Sequence, residues 1–253
     1  MQKIKIGKAH IDNVTLQEAI SIIGNMIESD SKTYVVTPNL DHIVKLEKDD
    51  DFVKCYDAAG LVLADGTPLV LASRILRTPL KGRVTGSDLF PALCKFAADK
   101  GFKVFFLGGL DGVAQKAAQI LMAKFEGLIV VGTYSPPFGF DKDEKENNKI
   151  LAMINAVHPQ LLFVGVGAPK QEKWMYRNIH ALQINVALGI GASFDFEAGT
   201  IKRAPLWVRN VGMEWLWRFL NEPRRLFRRY FIDSAQFIPI IRRQLRSRTR
   251  YIQ

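Results

Sequence analysis

The chain has 253 residues, 48% of them hydrophobic and 24% charged, a length and composition typical of one large globular domain. Its formal net charge of +10 arises entirely near the C-terminus: residues 1–200 hold 22 basic and 22 acidic residues, whereas residues 201–253 hold 13 and 3. No stretch approaches the roughly 18 uncharged apolar residues of a membrane-spanning helix, and no long apolar segment near the N-terminus indicates a signal peptide.

Residues 1–200 alternate predicted strands with predicted helices. Strands are expected at residues 3–6, 34–36, 61–64, 103–107, 128–132, 160–166 and 184–188, and helices at 16–28, 40–48, 50–59, 67–76, 89–100, 112–125, 143–157 and 169–179. This alternation predicts an α/β fold with a mostly parallel sheet covered by helices on both faces. Cys55 and Cys94 fall in predicted helices without metal-ligand spacing, which indicates buried small side chains in a reducing compartment.

A carboxylate follows the predicted strand at residues 61–64. Asp65-Gly66 interrupts the apolar run, Thr67 is expected to cap the next helix, and Pro68 is expected to begin it. Asp65 would then lie at the carboxyl end of a strand and beside a helix N-terminus, where ligands bind in open α/β sheets. The alternative is that Asp65 only forms the Asp-Gly turn.

Two further segments add polar groups near this edge. Thr37-Pro38-Asn39 follows the strand at residues 34–36. Residues 77–88 form an irregular basic segment that we interpret as a candidate mobile loop over the site, with Asp88 expected to cap the next helix. Arg83 in this loop can reach a phosphate, although a solvated loop arginine is the alternative.

Two glycine turns are candidate phosphate sites. Gly108 ends the strand at residues 103–107, but its surroundings lack the G-x-G-x-x-G spacing, so a tight packing turn is equally consistent. Residues 163–172 end a buried strand in two glycines, and Lys170, Gln171 and Glu172 then begin a helix. An anion would meet free backbone donors there, whereas the alternative is a capped helix whose polar side chains face solvent.

No metal or cofactor site is indicated by the sequence. Asp49-Asp50-Asp51 resembles the D-x-D of metal-dependent sugar transferases, but its place between two helices favours an N-cap with an acidic first turn. Zinc and Walker signatures are absent from the sequence. We therefore expect chemistry without a bound metal.

The C-terminal segment, residues 201–253, is predicted to be a basic helical appendage to a core at residues 1–200. On a helical wheel begun at residue 224, four arginines share one side, namely Arg224, Arg225, Arg228 and Arg229. The opposite side is apolar and holds Leu226, Phe227, Tyr230, Phe231, Phe237 and Ile238. Such a helix can lie on an anionic membrane, dock on the body or bind nucleic acid. The neutral body and the preference for arginine favour a membrane over nucleic acid.

Four motifs in order resemble those of the WecG/TagA/CpsF glycosyltransferases over roughly residues 5–230. They are Thr37-Pro38-Asn39, Ala64–Pro68, Gly167–Glu172, and Gly191–Asp195 followed by Arg203-Ala204-Pro205. The resemblance implies a Rossmann-like core that needs no D-x-D metal and a C-terminal appendage at the membrane. It also implies transfer of an N-acetylmannosamine-type sugar from a UDP donor to polyprenyl-diphosphate-linked N-acetylglucosamine at the cytoplasmic face of the cell membrane. Within the family the chain is most similar to the TagA branch, which builds the linkage unit of wall teichoic acid.

The resemblance also implies roles for individual residues. Asp65 matches the family's proposed general base, and Thr37 and Asn39 would orient the donor sugar or the base. The residues expected to bind substrate are Arg83, Gly108, Gly167, Lys170, Gln171 and Asp195. The residues expected to stabilise the departing UDP are Arg218, Arg224, Arg225 and Arg228, provided that docking at the membrane brings the appendage over the site. Removal of residues from about 200 onward should then leave a folded but nearly inactive body.

Several alternatives remain open from the sequence. One alternative is the same fold with a different donor, either UDP-glucose or UDP-N-acetylmannosaminuronic acid. Another is a non-catalytic, nucleotide-responsive membrane-binding module. A nucleic-acid binder would show steeply salt-dependent binding. The apolar side of the appendage can also form a subunit interface, so we expect a homo-oligomer away from the membrane.

Overall fold

The N-terminus forms a small hairpin that packs on the body. The computed structural model describes residues 1–210, 213–221, 223, 227 and 233–249. Strands β1 (Lys3–Ile6) and β2 (Ala9–Asp12) pair antiparallel, and the hydrophobic side chains of the hairpin are buried. The sequence predicted β1 but not β2: isoleucine alternates with lysine in β1, whereas Ile11 is the one large apolar residue of β2.

Six parallel strands form the central sheet. They are β3 (Thr33–Val36), β4 (Leu61–Val62), β5 (Lys103–Gly108), β6 (Ile129–Tyr134), β7 (Leu161–Gly165) and β8 (Val186–Gly189). Their order in the sheet is β4-β3-β8-β7-β5-β6, and every neighbouring pair is parallel. All six carboxyl ends therefore meet at one edge, as the alternation of strands and helices predicted.

Helices cover both faces of the sheet. In chain order, these helices are α1 (Leu16–Glu28), α2 (Leu40–Leu46), α3 (Asp50–Asp57), α4 (Thr67–Ile75), α5 (Gly86–Lys100), α6 (Val113–Lys124), α7 (Glu144–Val157), α8 (Lys170–Asn178) and α9 (Ser193–Glu197). Successive residues of a strand enter different cores: Tyr34 and Val36 pack in one, with α2, α3 and α8, and Val35 in the other, with α1, α5 and α6. This alternation confirms the predicted α/β class.

Side-chain caps begin α1 and α5 but not α4. Thr15 and Glu18 form the capping box of α1. Thr67 does not cap α4: Gly66 precedes the helix without a side-chain cap, and Thr67 is already helical. Asp88 does not cap α5 either, because Thr85 accepts a hydrogen bond from the Asp88 amide and the helix begins at Gly86.

Three helices are described beyond the sheet: α10 (Leu206–Asn210), α11 (Glu214–Asn221) and α12 (Asp233–Thr249). The α12 helix packs on α2 and buries Phe237, Ile240 and Ile241 in the core that contains β1. Gln244 accepts a hydrogen bond from the Gly7 amide at 2.9 Å and donates one to the Lys5 carbonyl at 2.7 Å. The boundary predicted near residue 200 stays a prediction, and removing this segment would uncover apolar surface of the body.

Candidate active site

The pairing of β3 with β4 brings the first two predicted clusters together. Beyond the strands, the Leu63 amide donates to the Val36 carbonyl at 2.9 Å and the Asp65 amide donates to the Pro38 carbonyl at 2.8 Å. Asp65 therefore lies beside Thr37-Pro38-Asn39 at the carboxyl edge of the sheet. Asp65 precedes α4 by one glycine and therefore lies beside the N-terminus of that helix.

Thr37 and Asn39 are held by different neighbours. The Thr37 hydroxyl donates to the Gly189 carbonyl at 3.2 Å, which ties the end of β3 to the end of β8. The Asn39 side chain caps α2 by accepting from the His42 amide at 3.3 Å. Both residues are thus fixed at the edge where Asp65 lies, and Thr37 is only 6% exposed.

The basic segment at residues 77–88 runs directly past Asp65. The Val84 amide donates to the Ala64 carbonyl at 2.7 Å, and the Lys81 amide donates to the Asn13 side chain at 2.7 Å. Val84 is buried, so hydrogen bonds and packing tie down the segment that we interpreted as a mobile loop. Because Val84 bonds to Ala64, the backbone of Arg83 lies close to that of Asp65. The Arg83 guanidinium donates to the Arg209 carbonyl at 2.7 Å.

An arginine–aspartate cluster joins this segment to the start of the appendage. Arg203 contacts Asp88 at 2.6 Å and also donates to Ser87, while Arg209 reaches the same Asp88 oxygen at 3.4 Å. Burial alone would raise the pKa of the Asp88 carboxyl, but Arg203 and a hydrogen bond from Thr85 outweigh burial and hold the pKa below its ordinary value. Sequence reasoning missed this cluster, although Arg203 lies in one of the four motifs.

The two glycine turns lie side by side. At Gly108, φ is +127°, and a Cβ there would stand 2.5 Å from the carbonyl carbon and oxygen of Gly165. Gly108 therefore permits β5 and β7 to approach closely, which is the packing alternative considered from the sequence. Gly167, by contrast, has open space where a Cβ would point. The connections of β5 and β7 leave towards opposite edges of the sheet, an arrangement at which ligands bind in open α/β folds.

Lys170 and Asp195 interact with residues near them. The Lys170 ammonium lies 3.7 Å from Asp141 and 4.8 Å from the ring centre of Phe138, a fully exposed side chain. The Asp195 carboxylate accepts from the Thr200 hydroxyl at 3.2 Å, within the turn that follows α9. Their roles in binding a substrate stay predictions.

Gln171 and Glu172 point inward, and not to solvent or to an open cleft. They are 2% and 0% exposed, and Gln171 donates to Glu172 at 2.8 Å. Burial raises the pKa of the Glu172 carboxyl to about 7, which the hydrogen bond from Gln171 only partly offsets. A signal was present in the sequence: Gln171 precedes the buried Trp174 and Met175 by three and four positions, on one stripe of α8.

The acidic triplet behaves as the sequence predicted. Asp49 caps α3 by accepting from the Phe52 amide at 3.0 Å, and it pairs with Lys173 at 2.7 Å. Both cysteines are buried, also as predicted. Within the ranges that the structure describes, no group of three or more histidine, cysteine and acidic side chains is arranged to hold a metal ion.

The appendage is only partly described. Arg224, Arg225 and Arg228 lie outside the described residues, and Arg218 is described only by its place in α11. Large apolar side chains are exposed on the described part, namely Trp207 at 70%, Trp215 at 45% and Leu220 at 69%. Among the described helices, each falls short of the length or the apolar character needed to cross a bilayer.

Comparisons with known proteins show the family to which this chain belongs. A protein of Bacillus spizizenii named N-acetylglucosaminyldiphosphoundecaprenol N-acetyl-beta-D-mannosaminyltransferase is 31% identical over 199 residues, covering 79% of this chain and 75% of the relative. A Staphylococcus aureus protein of the same name is 28% identical over 228 residues, covering 89% of this chain and 87% of the relative. A family model described as the glycosyl transferase WecG/TagA/CpsF family matches residues 4–251. The chain therefore belongs to the WecG/TagA/CpsF family of glycosyltransferases.

Proposed function

We propose that this chain transfers N-acetylmannosamine from UDP-N-acetylmannosamine to N-acetylglucosaminyl-diphospho-undecaprenol. The names of the relatives support the transferred sugar and the lipid acceptor. The observation that carries the proposal is the position of Asp65, which hydrogen bonding to Pro38 holds beside Thr37 and Asn39 at the carboxyl edge of the sheet. The wall teichoic acid linkage unit is the product that this reaction would build.

The proposed reaction is a single displacement with inversion. The Asp65 carboxylate takes the proton of the acceptor sugar hydroxyl while the hydroxyl oxygen bonds to the anomeric carbon. The bond from that carbon to the diphosphate breaks at the same time, and UDP leaves with the electron pair. Thr37 and Asn39 orient the donor sugar, and their fixed places after β3 and at the N-cap of α2 keep the reacting atoms aligned.

The donor diphosphate is proposed to lie along the ends of β5 and β7. Gly167 leaves its backbone open to a ligand there, and Gly108 keeps the two strand ends close. Lys170 and Arg83 supply positive charge from the two sides, and Asp195 contacts the polar part of the donor. No metal is required if cations of the chain stabilise the charge that develops on UDP.

The appendage is proposed to supply those cations, through Arg218, Arg224, Arg225 and Arg228. Two described features support this assignment. Arg203 and Arg209 tie the start of the appendage to Asp88, close to Arg83, and exposed tryptophans on α10 and α11 suit an anionic membrane surface. Docking on the membrane would then bring the enzyme to its lipid-linked acceptor.

The test is UDP release by the full-length chain, with and without a short-chain N-acetylglucosamine diphospholipid. We expect release that depends on the acceptor, and about a hundred-fold to ten-thousand-fold lower turnover for Asp65→Asn. UDP binding should be retained, and Asp57→Asn is the matched control because Asp57 is exposed at the end of α3. Undiminished turnover of Asp65→Asn would refute the role of Asp65 as the general base. Competition among UDP-N-acetylmannosamine, UDP-N-acetylmannosaminuronic acid and UDP-glucose identifies the donor.

A further experiment tests the appendage in the full chain. Replacing Arg224, Arg225 and Arg228 together by glutamine keeps α12 in place, which truncation near residue 200 does not. We expect this variant to lose sedimentation with anionic vesicles and to lose turnover, because each arginine near an anionic surface contributes roughly 1 kcal/mol. Turnover at the wild-type level would contradict the proposed stabilisation of UDP.

A further inference from the structure

Two polar residues are buried beneath the candidate site, at the start of α8. Glu172 is fully buried and Gln171 is 2% exposed, although glutamate and glutamine at the first turn of a helix usually face water. Both side chains are closed off from solvent, and the predicted contact of Gln171 with a substrate stays a prediction. Their burial therefore calls for a role inside the protein.

The contacts of Gln171 fix the orientation of its carboxamide. Its oxygen accepts from the Gly191 amide at 3.1 Å, and its nitrogen donates to Glu172 at 2.8 Å. Because only the oxygen can accept from Gly191, the nitrogen must point to Glu172. Gln171 thus joins α8 to the turn that follows β8, and Glu172 accepts a hydrogen bond from the nitrogen of the same carboxamide.

The same turn holds Thr37 from its other side. The Thr37 hydroxyl donates to Gly189, and a Cβ at Gly189 would stand 2.7 Å from the Gln171 nitrogen. The segment from Gly189 to Gly191 therefore lies between the Gln171 carboxamide and Thr37. A change in the carboxamide would shift this segment and with it the partner of the Thr37 hydroxyl.

We propose that Glu172 is a positioning residue: it orients Gln171, which holds the turn at residues 189–191, which in turn fixes Thr37. The effect on turnover rests on the proposed sugar transfer, whereas the structural effect does not. Glu172 acts only through Gln171 and does not touch the reacting atoms.

The surroundings of Glu172 explain why a glutamine should replace it well. In the described part of the chain its second carboxyl oxygen has no hydrogen-bond partner, and burial raises its pKa to about 7. A neutral acid with one accepting oxygen is close in shape and bonding to a carboxamide. The titratable groups that face Glu172 are Asp41 and Lys45 on α2, Tyr34 on β3, and Cys55 and Tyr56 on α3.

The first test is amide hydrogen exchange at Gly191 in the full-length chain. Glu172→Leu removes the acceptor and Glu172→Asp makes it too short to reach Gln171, so either variant should speed this exchange about tenfold. Glu172→Gln should exchange as the wild type does. Asn178→Leu is the matched control, because it removes a buried polar side chain from the other end of the same helix. Unchanged exchange at Gly191 in both Glu172→Leu and Glu172→Asp would overturn the proposal.

The second test is steady-state sugar transfer by the same variants. We expect Glu172→Asp to lower kcat about tenfold and Glu172→Gln to restore it, while Asn178→Leu lowers only the melting temperature. A loss of kcat in Glu172→Gln equal to that in Glu172→Asp would also overturn the proposal. If the wild type transfers no N-acetylmannosamine, the proposed function fails while the exchange data still decide the role of Glu172.

Discussion

The burial of Glu172 predicts how the stability of this protein depends on pH. Burial raises the pKa of Glu172 from 4.5 to about 7 in the folded chain. At about 1.4 kcal/mol for each pH unit between these values, ionising the side chain costs the folded state about 3 kcal/mol. The perturbation is Glu172→Gln, which keeps the shape of the side chain and removes its proton equilibrium.

The sign follows from which state holds the proton. Below pH of about 4.5 both the folded and the unfolded chain are protonated at Glu172, so its ionisation costs nothing. Between about 4.5 and 7 the folded chain keeps a proton that the unfolded chain releases, and the free energy of unfolding falls as the pH rises. Above about pH 7 the loss is complete.

The assay is urea unfolding at about pH 5 and about pH 8, followed by tryptophan fluorescence, for which the buried Trp174 is a suitable probe. The free energy of unfolding of the wild type should fall by about 2.5 kcal/mol more than that of Glu172→Gln over this interval. Glu126→Gln is the control, because Glu126 is exposed and should leave the wild-type pH dependence unchanged. Parallel pH profiles for the wild type and Glu172→Gln would refute the reasoning.

Three further substitutions test other parts of the fold by the same unfolding measurement. Gly108→Ala should cost about 3 kcal/mol or more, because the new Cβ would overlap the Gly165 carbonyl at a positive φ; a cost below about 1 kcal/mol would show that the strand ends can separate. Thr85→Ala should cost about 1 kcal/mol, since α5 loses the cap bonded to the Asp88 amide, and an unchanged stability would contradict this cap. Ile240→Ala should cost about 2–4 kcal/mol because the side chain is buried between α12 and α2, whereas a surface helix would lose almost nothing.

The geometry of the site explains how short motifs that lie far apart in the sequence can form one site. Asp65 and Thr37 are separated by 28 residues, yet one backbone hydrogen bond from Asp65 to Pro38 brings them to adjacent strand ends. Parallel pairing aligns the carboxyl ends of neighbouring strands, so a few residues after each strand are enough to build the floor of a site. The remaining polar groups come from loops that these ends anchor, such as the one that carries Arg83.

The periodicity of the sequence was sufficient to predict most of the elements. Short apolar runs indicated the parallel strands, and the helix expected at residues 16–28 is α1. Errors occurred where a single hydrogen bond decides a boundary: Thr85 and Asp88 are both good caps, and only the folded backbone selects between them. The hairpin strand β2 was missed because its four residues include one large apolar side chain, whereas the equally short β1 alternates isoleucine with lysine.

The sequence by itself determined the α/β class, the family motifs, the position of Asp65 at a strand end and the concentration of positive charge after residue 200. These properties follow from local patterns and from composition. Only the tertiary structure decided that Gln171 and Glu172 face inward, that Gly108 serves the close approach of Gly165, and that α12 packs on α2. Burial and close contact depend on residues far apart in the chain. The spacing of Gln171 to Trp174 and Met175 indicates a shared stripe of α8, but only the packing of that stripe shows that it faces the core.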